Sequence, residues 1–264
     1  MKVFNANDTD DCMLRMGYRG SCNKMSDIKL YNGDCFEIMK YLIAKEIQVD
    51  AVICDPPYNI FQANWDENFD IKSAIALTKQ LIKPNSNIII FQGWSNVCKT
   101  KTIMDEYYTM QDWIIYDRIK GRGGKKHLVS TREDILWYSN GDDYTFNKIP
   151  STIKKKTGGL GMKNGCEFRA LSNVWTDISP IVPWSKERVA HPTQKPVMLM
   201  ERCVELWTNP CDTVLDFCMG SGSTGVACKN KGRNFIGIEL NEGYYNIAKE
   251  RIESAQSDVN NYDE

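Results

Sequence analysis

Two segments carry side chains whose types and spacing could do chemistry. The first is Asp55-Pro56-Pro57-Tyr58, which closes the apolar run Val49–Cys54. Two successive prolines remove two backbone donors and stiffen the turn. What remains is a set of acceptors, the Asp55 carboxylate and the backbone carbonyls, beside the flat face of Tyr58. That set suits a planar ring bearing an exocyclic NH2 group. The second segment runs from Asp216-Phe217-Cys218-Met219 through Gly220-Ser221-Gly222-Ser223-Thr224-Gly225. Its glycines let the backbone pass close to a ligand. Glu239, 17 residues beyond Gly222, stands where an acidic side chain can hold ribose hydroxyls. Taken alone, Gly220-x-Gly222-x-x-Gly225 would serve a nicotinamide dinucleotide as well.

Both segments need a sheet to bring them together. Strands are expected at Ile28–Tyr31, Val49–Cys54, Asn87–Phe91, Trp113–Asp117, Ile135–Tyr138, Thr213–Phe217 and Phe235–Glu239. Helical spacing covers Cys35–Lys45, 71–82, 95–108, 197–207, Ser223–Asn230 and Glu242–Ser254. This alternation indicates a parallel sheet covered on both faces, with ligands beyond the carboxyl ends of the strands. Asp55 and the glycine loop then face one crevice. The strands at 113–117 and 135–138 have no helix between them, which puts one antiparallel edge on the sheet. The expected fold is α/β and Rossmann-like: a mostly parallel seven-stranded sheet with one antiparallel strand and helices on both faces. Residues 140–190, rich in Gly, Ser, Pro, Lys and Trp, break the rhythm as an insert. The expected organisation is a mobile segment 1–27, one domain formed by 28–139 and 191–254, the insert 140–190 and an acidic tail 255–264.

Lys and Arg number 33 and Asp and Glu 34 in 264 residues, a net charge of −1, which excludes a uniformly basic nucleic-acid coat. A local patch remains: ten basic residues face four acidic ones between Arg118 and Lys156. The first residues lack an apolar core of secretory type, and no run approaches the ~20 apolar residues of a membrane span, so no membrane partner is expected. Ten cysteines form no CxxC pair and only His127 and His191 accompany them, so no metal is expected and the cysteines read as free thiols of a reducing cytosol.

Further segments complete a pattern: Asn32-Gly33-Asp34-Cys35, His191-Pro192-Thr193-Gln194-Lys195-Pro196, Phe235-Ile236-Gly237-Ile238-Glu239 and Tyr244-Tyr245-Asn246-Ile247-Ala248. With the two segments above, the chain resembles the S-adenosylmethionine-dependent amino-group DNA methyltransferases, over roughly residues 28–252. The catalytic motif precedes the cofactor motif with the insert between them, the order of that family's β group. Cys218-Met219 departs from the Pro-Phe or similar pair common there. Pro210-Cys211, which could suggest the covalent cysteine of cytosine-C5 enzymes, precedes the cofactor strand and reads as a loop cysteine.

The resemblance implies catalysis by Asp55, Pro56, Pro57 and Tyr58. It implies S-adenosylmethionine bound by Asp34, Cys35, Thr193, Lys195, Asp216, Phe217, Gly220, Ser221, Gly222, Ser223, Thr224, Glu239 and Asn241. The partner is double-stranded DNA, touched by Arg118, Lys120, Arg122, Lys125, Lys126, Lys154, Lys155 and Lys156 and read by the insert 140–190. Trp175 and Trp184 either contact bases or form the insert's own small core. The reaction implied is direct methyl transfer to adenine N6 of a flipped-out base. Cytosine N4 is the alternative, because Asp at the first tetrad position is commoner in the adenine type and Ser in the cytosine-N4 type. A dehydrogenase would carry the glycine pattern near its start and would not need Asp-Pro-Pro-Tyr. The setting implied is a monomer or homodimer in the cytoplasm of a prokaryotic or phage-infected cell, in a restriction-modification context.

Overall fold

The computed structural model describes residues 26–58, 69–122, 126, 128–154 and 168–255. In chain order the elements are β1 (Ile28–Asn32), α1 (Cys35–Ala44), β2 (Val49–Cys54), α2 (Ile71–Leu81), β3 (Ile82–Gln92), α3 (Val97–Asp105), β4 (Thr109–Arg122) and β5 (Ser130–Ser139). The insert adds β6 (Pro150–Lys154), β7 (Phe168–Ala170) and β8 (Val174–Trp175). The chain closes with α4 (Val197–Trp207), β9 (Thr213–Asp216), α5 (Ser223–Asn230), β10 (Asn234–Glu239) and α6 (Glu242–Ser254).

The main sheet runs β1-β10-β9-β2-β3-β5-β4-β8, and β6 pairs with β7 apart from it. All seven expected strands are present, and the two-residue β8 of the insert adds an eighth by pairing parallel to β4. The architecture is therefore the Rossmann-like α/β fold, with β5 as its one antiparallel strand. That strand is not at the edge: it lies between β3 and β4, antiparallel to both. Glu133 through Ser139 of β5 are all buried, and a run buried on both faces needs neighbours on both sides.

Side-chain alternation sends the strands' apolar residues into two cores. Val52, Cys54, Ile88 and Ile90 meet Met39 and Leu42 of α1 and Ile75 of α2. Ile53, Ile89 and Phe91 meet Met200 and Cys203 of α4 and Ile252 of α6. Three helices on each face leave the carboxyl ends of β1, β10, β9 and β2 clear for a ligand.

The insert is tied down by a buried fork. Arg202 of α4 donates to both oxygens of Asp177, at 2.7 and 2.8 Å, and the Thr152 amide donates to Asp177 at 2.9 Å. Burial alone would raise the Asp177 carboxyl, but the Arg202 guanidinium overrides it and holds the group below the ordinary carboxylate range. Trp175 lies under this fork, 2% exposed and stacked on Trp207, so it is core and not a base contact. Trp184 is 77% exposed.

Order extends slightly beyond the expected limits. Asp27, placed in the mobile segment, already pairs with Asn234 and Phe235. Lys120 and Arg122, which follow the expected strand Trp113–Asp117, lie in β4, which continues past an irregularity between Asp117 and Arg122 to pair with Ser130. Cys35, Cys54, Cys98, Cys203, Cys218 and Cys228 are free, but the exposed Cys211 is disulfide-bonded, which departs from the reading of every cysteine as a free thiol.

Candidate active site

Asp55 follows the last residue of β2 and points its carboxylate into a cavity at the carboxyl end of the sheet. Pro56 and Pro57 offer it no amide, so its partners come from side chains. The Tyr58 hydroxyl donates to Asp55 Oδ1 at 2.5 Å and the Lys195 ammonium to Oδ2 at 2.6 Å. Lys195 arrives from the segment before α4, is 7% exposed, and also lies 3.3 Å from Glu133 Oε2. Its ammonium stands over the rings of Tyr58 and Phe91. Burial would lower the Lys195 pKa, but the Asp55 and Glu133 carboxylates reverse this and raise it. Burial pushes the Tyr58 phenol well above its ordinary range. Beyond Glu133 stands Arg118, 3.4 Å away. Arg118 Nε and the Tyr116 hydroxyl are buried beside the cavity with no hydrogen-bond partner among the described residues.

The glycine loop joins β9 to α5. Asp216 accepts from Thr224 Oγ1 at 2.7 Å and from the Cys218 amide at 3.1 Å. Burial lifts its carboxyl to about 7. Glu239, at the end of β10, accepts from the Gly220 amide at 2.9 Å and the Asn241 amide at 2.8 Å, and burial raises its pKa. Gly220 has φ +52°, and a methyl there would stand 3.0 Å from His191 Nε2. His191 packs edge-on against Tyr244, and burial, with the charges of Lys195 and Arg251, lowers its pKa to about 4.

Both loops open into one cavity of about 1380 Å³. Small-molecule sites commonly measure ~300–1,000 Å³, so this one has room for a cofactor and a second planar group. Its walls include Asp55, Pro56, Pro57 and Tyr58, and of the residues expected around the cofactor Asp34, Cys35, Thr193, Lys195, Asp216, Phe217, Gly220, Ser221, Ser223, Thr224 and Glu239. Gly222 and Asn241 are not among them. Gly222 has φ +79° and meets α6, where a methyl would lie 2.8 Å from Ala248 Cβ, while the Asn241 side chain caps α6 at the Tyr244 amide.

Of the residues expected on DNA, Arg118 lines the cavity. Lys126 is exposed. The side chains of Lys120, Arg122 and Lys154 lie outside the description, as do Lys125, Lys155 and Lys156 altogether. Sequence reasoning passed over Glu133 and Tyr116. The only signal for Glu133 was an acid inside an apolar strand, and it had been counted merely as one charge of the patch.

A family model described as DNA methylase matches residues 49–250. The type II methyltransferase M1.MboII of Moraxella bovis is 32% identical over 248 residues, covering 83% of this chain and 94% of that protein. The DNA adenine methyltransferase YhdJ of Escherichia coli K12 is 30% identical over 247 residues, 86% of this chain and 83% of that protein. Among solved structures, the M1.HpyAVI–SAM complex is similar at a TM-score of 0.64 and 34% identity, covering 85% of this chain and 99% of that one.

Proposed function

The chain belongs to the N6/N4 family of S-adenosylmethionine-dependent DNA amino-methyltransferases, and from that premise we propose that it methylates adenine N6 in double-stranded DNA. The observation that carries the reading is that the Asp55 and Glu239 carboxylates line one cavity from the ends of β2 and β10. The cavity fits the cofactor's chemistry. A ribose diol finds the Glu239 carboxylate, an adenine ring finds the aromatic faces of Phe36 and Phe217, and the cationic end finds the carboxylate of Asp34. Cys35, Gly220, Ser221 and Ser223 complete the proposed lining, with Thr193 at its rim. Asp216 and Thr224 are proposed to brace the loop, since each is hydrogen-bonded to the other.

When bound, S-adenosylmethionine supplies an electrophilic methyl group on a sulfonium. The residues of the chain act on the base. Asp55 and a Pro56 carbonyl accept from the amine's two hydrogens and draw its lone pair out of conjugation with the ring. These contacts strengthen as the nitrogen becomes tetrahedral, so they favour the transition state over the ground state. Pro57 keeps the acceptors rigid, which contributes through orientation. Flipping the base out costs a few kcal/mol, and stacking on Tyr58 offsets part of this at about 1–3 kcal/mol per base.

Adenine is favoured over cytosine by Asp55 at the first tetrad position and by the name of the Escherichia coli relative. Residues 140–190 are proposed to read the target sequence, with Lys126 and its basic neighbours on phosphates. Sequencing that reports modified bases, on DNA from cells expressing the protein, tests all of this. N6-methyladenine at a fixed sequence is the expected result. N4-methylcytosine would overturn the choice of base, and an unmodified genome would overturn the activity.

A further inference from the structure

Glu133 has no part in the roles above, and Lys195 has so far been given only a place in the cavity wall. Its ammonium bridges Asp55 at 2.6 Å and Glu133 at 3.3 Å, with all three side chains largely withdrawn from solvent. The bridge joins three separate parts of the chain: the turn after β2, the segment before α4, and β5. Other titratable groups face it. Tyr58 donates to Asp55, and Arg118 stands 3.4 Å from Glu133. Asp216 and Cys54 lie behind Asp55, Tyr116 faces Glu133, and His191 faces Lys195.

A cation between two largely buried carboxylates compensates both, and removing it leaves them without a counter-charge. With Oδ1 held by Tyr58 and Oδ2 by Lys195, the Asp55 carboxylate cannot turn, and its remaining lone pairs are the acceptors left for an incoming amine. We propose that Lys195, backed by Glu133, is a positioning residue of methyl transfer: its ammonium holds the Asp55 carboxylate fixed in the base pocket. This rests on the reading of Asp55 as the acceptor of the target amine. Without the ammonium, Asp55 Oδ2 loses the contact that fixes it, and the carboxylate is free to turn away from the amine.

The test uses the full chain as wild type, Lys195→Met, Lys195→Gln and the double variant Lys195→Met with Glu133→Gln. Single-turnover transfer of a tritiated methyl group to unmethylated genomic DNA is followed at saturating S-adenosylmethionine, and cofactor affinity is measured by calorimetry. Both single variants should slow transfer on the order of a hundredfold, the cost of a misplaced reacting group. Cofactor affinity should stay within about threefold of wild type, well under the tenfold that 1.4 kcal/mol represents. Glu133→Gln in the double variant should restore part of the rate, because it removes the carboxylate that Lys195 no longer compensates. The Gln variant keeps a donor beside Asp55 and carries the test if the Met variant does not fold. Loss of cofactor affinity with an unchanged saturated rate would make Lys195 a cofactor ligand and overturn the proposal. So would a double variant no faster than Lys195→Met. Asp55→Ala in the same assay separates the two readings: if it transfers normally, the base pocket itself is misassigned, whereas an inactive Asp55→Ala beside a normal Lys195→Met removes only this inference.

Discussion

β2 and β9 are neighbours in the sheet, and an aspartate stands at the end of each: Asp55 just after β2, Asp216 as the last residue of β9. After Asp55 come two prolines and no amide. Its partners are brought from elsewhere, one of them 140 positions along the chain. After Asp216 come residues that satisfy it on the spot, the Cys218 amide and the Thr224 hydroxyl. One carboxylate is thereby compensated by charge and keeps lone pairs for a ligand. The other is spent on its own loop and lifted to about 7 by burial. The same residue type at equivalent strand ends becomes an instrument in one case and scaffolding in the other, and the next two residues make the difference.

The comparison breaks first at Asp55. Asp55→Ala should reduce methyl transfer to background while cofactor affinity, read by calorimetry, barely changes. Activity above about a tenth of wild type would show that positioned acceptors, whose usual contribution is about 10²–10⁴-fold, are not supplied by Asp55.

Asp216 should respond in stability instead. Its pKa is raised from 3.8 to about 7, so the folded protein holds this proton more tightly than the unfolded chain. The contribution is fully present below about pH 4 and is lost as pH rises through 7, with an amplitude of at most about 4 kcal/mol. Asp216→Asn cannot lose a proton, so urea unfolding at pH 5 and pH 8 should differ less in the variant than in wild type. An equal difference in both would mean that Thr224 and the loop amide already offset the burial.

Glu239 lies between these cases, with two backbone amides on its oxygens and a face on the cavity. Glu239→Ala should weaken S-adenosylmethionine binding by about ten- to a hundredfold, the worth of a charged hydrogen bond of roughly 1.5–3 kcal/mol. Glu239→Gln should fall between the two, since it keeps one acceptor. Unchanged affinity in a folded Ala variant would make Glu239 a second scaffold carboxylate. The smallest effect is expected in the basic stretch that precedes β5 in sequence. Neutralising Lys125 and Lys126 together should reduce the slope of log affinity for DNA against log salt by roughly 1–2 and leave the methylated sequence alone. A changed sequence at a constant slope would give that segment a reading role.

What could be read from the sequence is what local patterning encodes. Helical spacing placed α4, α5 and α6 to the residue, and the strand-ending motifs of Asp55 and Gly220 do open into one cavity. The misses are long-range. β3 begins at Ile82, well before the apolar run at Asn87, because Ile82 pairs with Val49 across an irregularity in the ladder. The contact of Lys195 with Asp55 is another, since nothing near either residue in sequence announces its partner. Trp175 could equally have been a base contact until Trp207 and Arg202 were found against it.

The outer position of β1 bears on how the molecule is made. Among the described strands of the sheet, β1 is the first to leave the ribosome, and the neighbour it pairs with there is β10, the last. Asn32 and Glu239, which meet at the end of that pair, are 207 residues apart. At roughly 5–20 residues per second, β1 waits about 10–40 s for its partner. During that time β2 to β5 can zip together, since each lies close in sequence to a neighbour. The strand that presents Asp55 is therefore assembled early, whereas Glu239 and the amides it receives arrive only with the final strand. A nascent or truncated chain ending before residue 234 has the base-pocket turn but neither β10 nor its carboxylate. The site therefore depends on the same late closure that gives β1 its partner, because β10 brings both the pairing strand and Glu239.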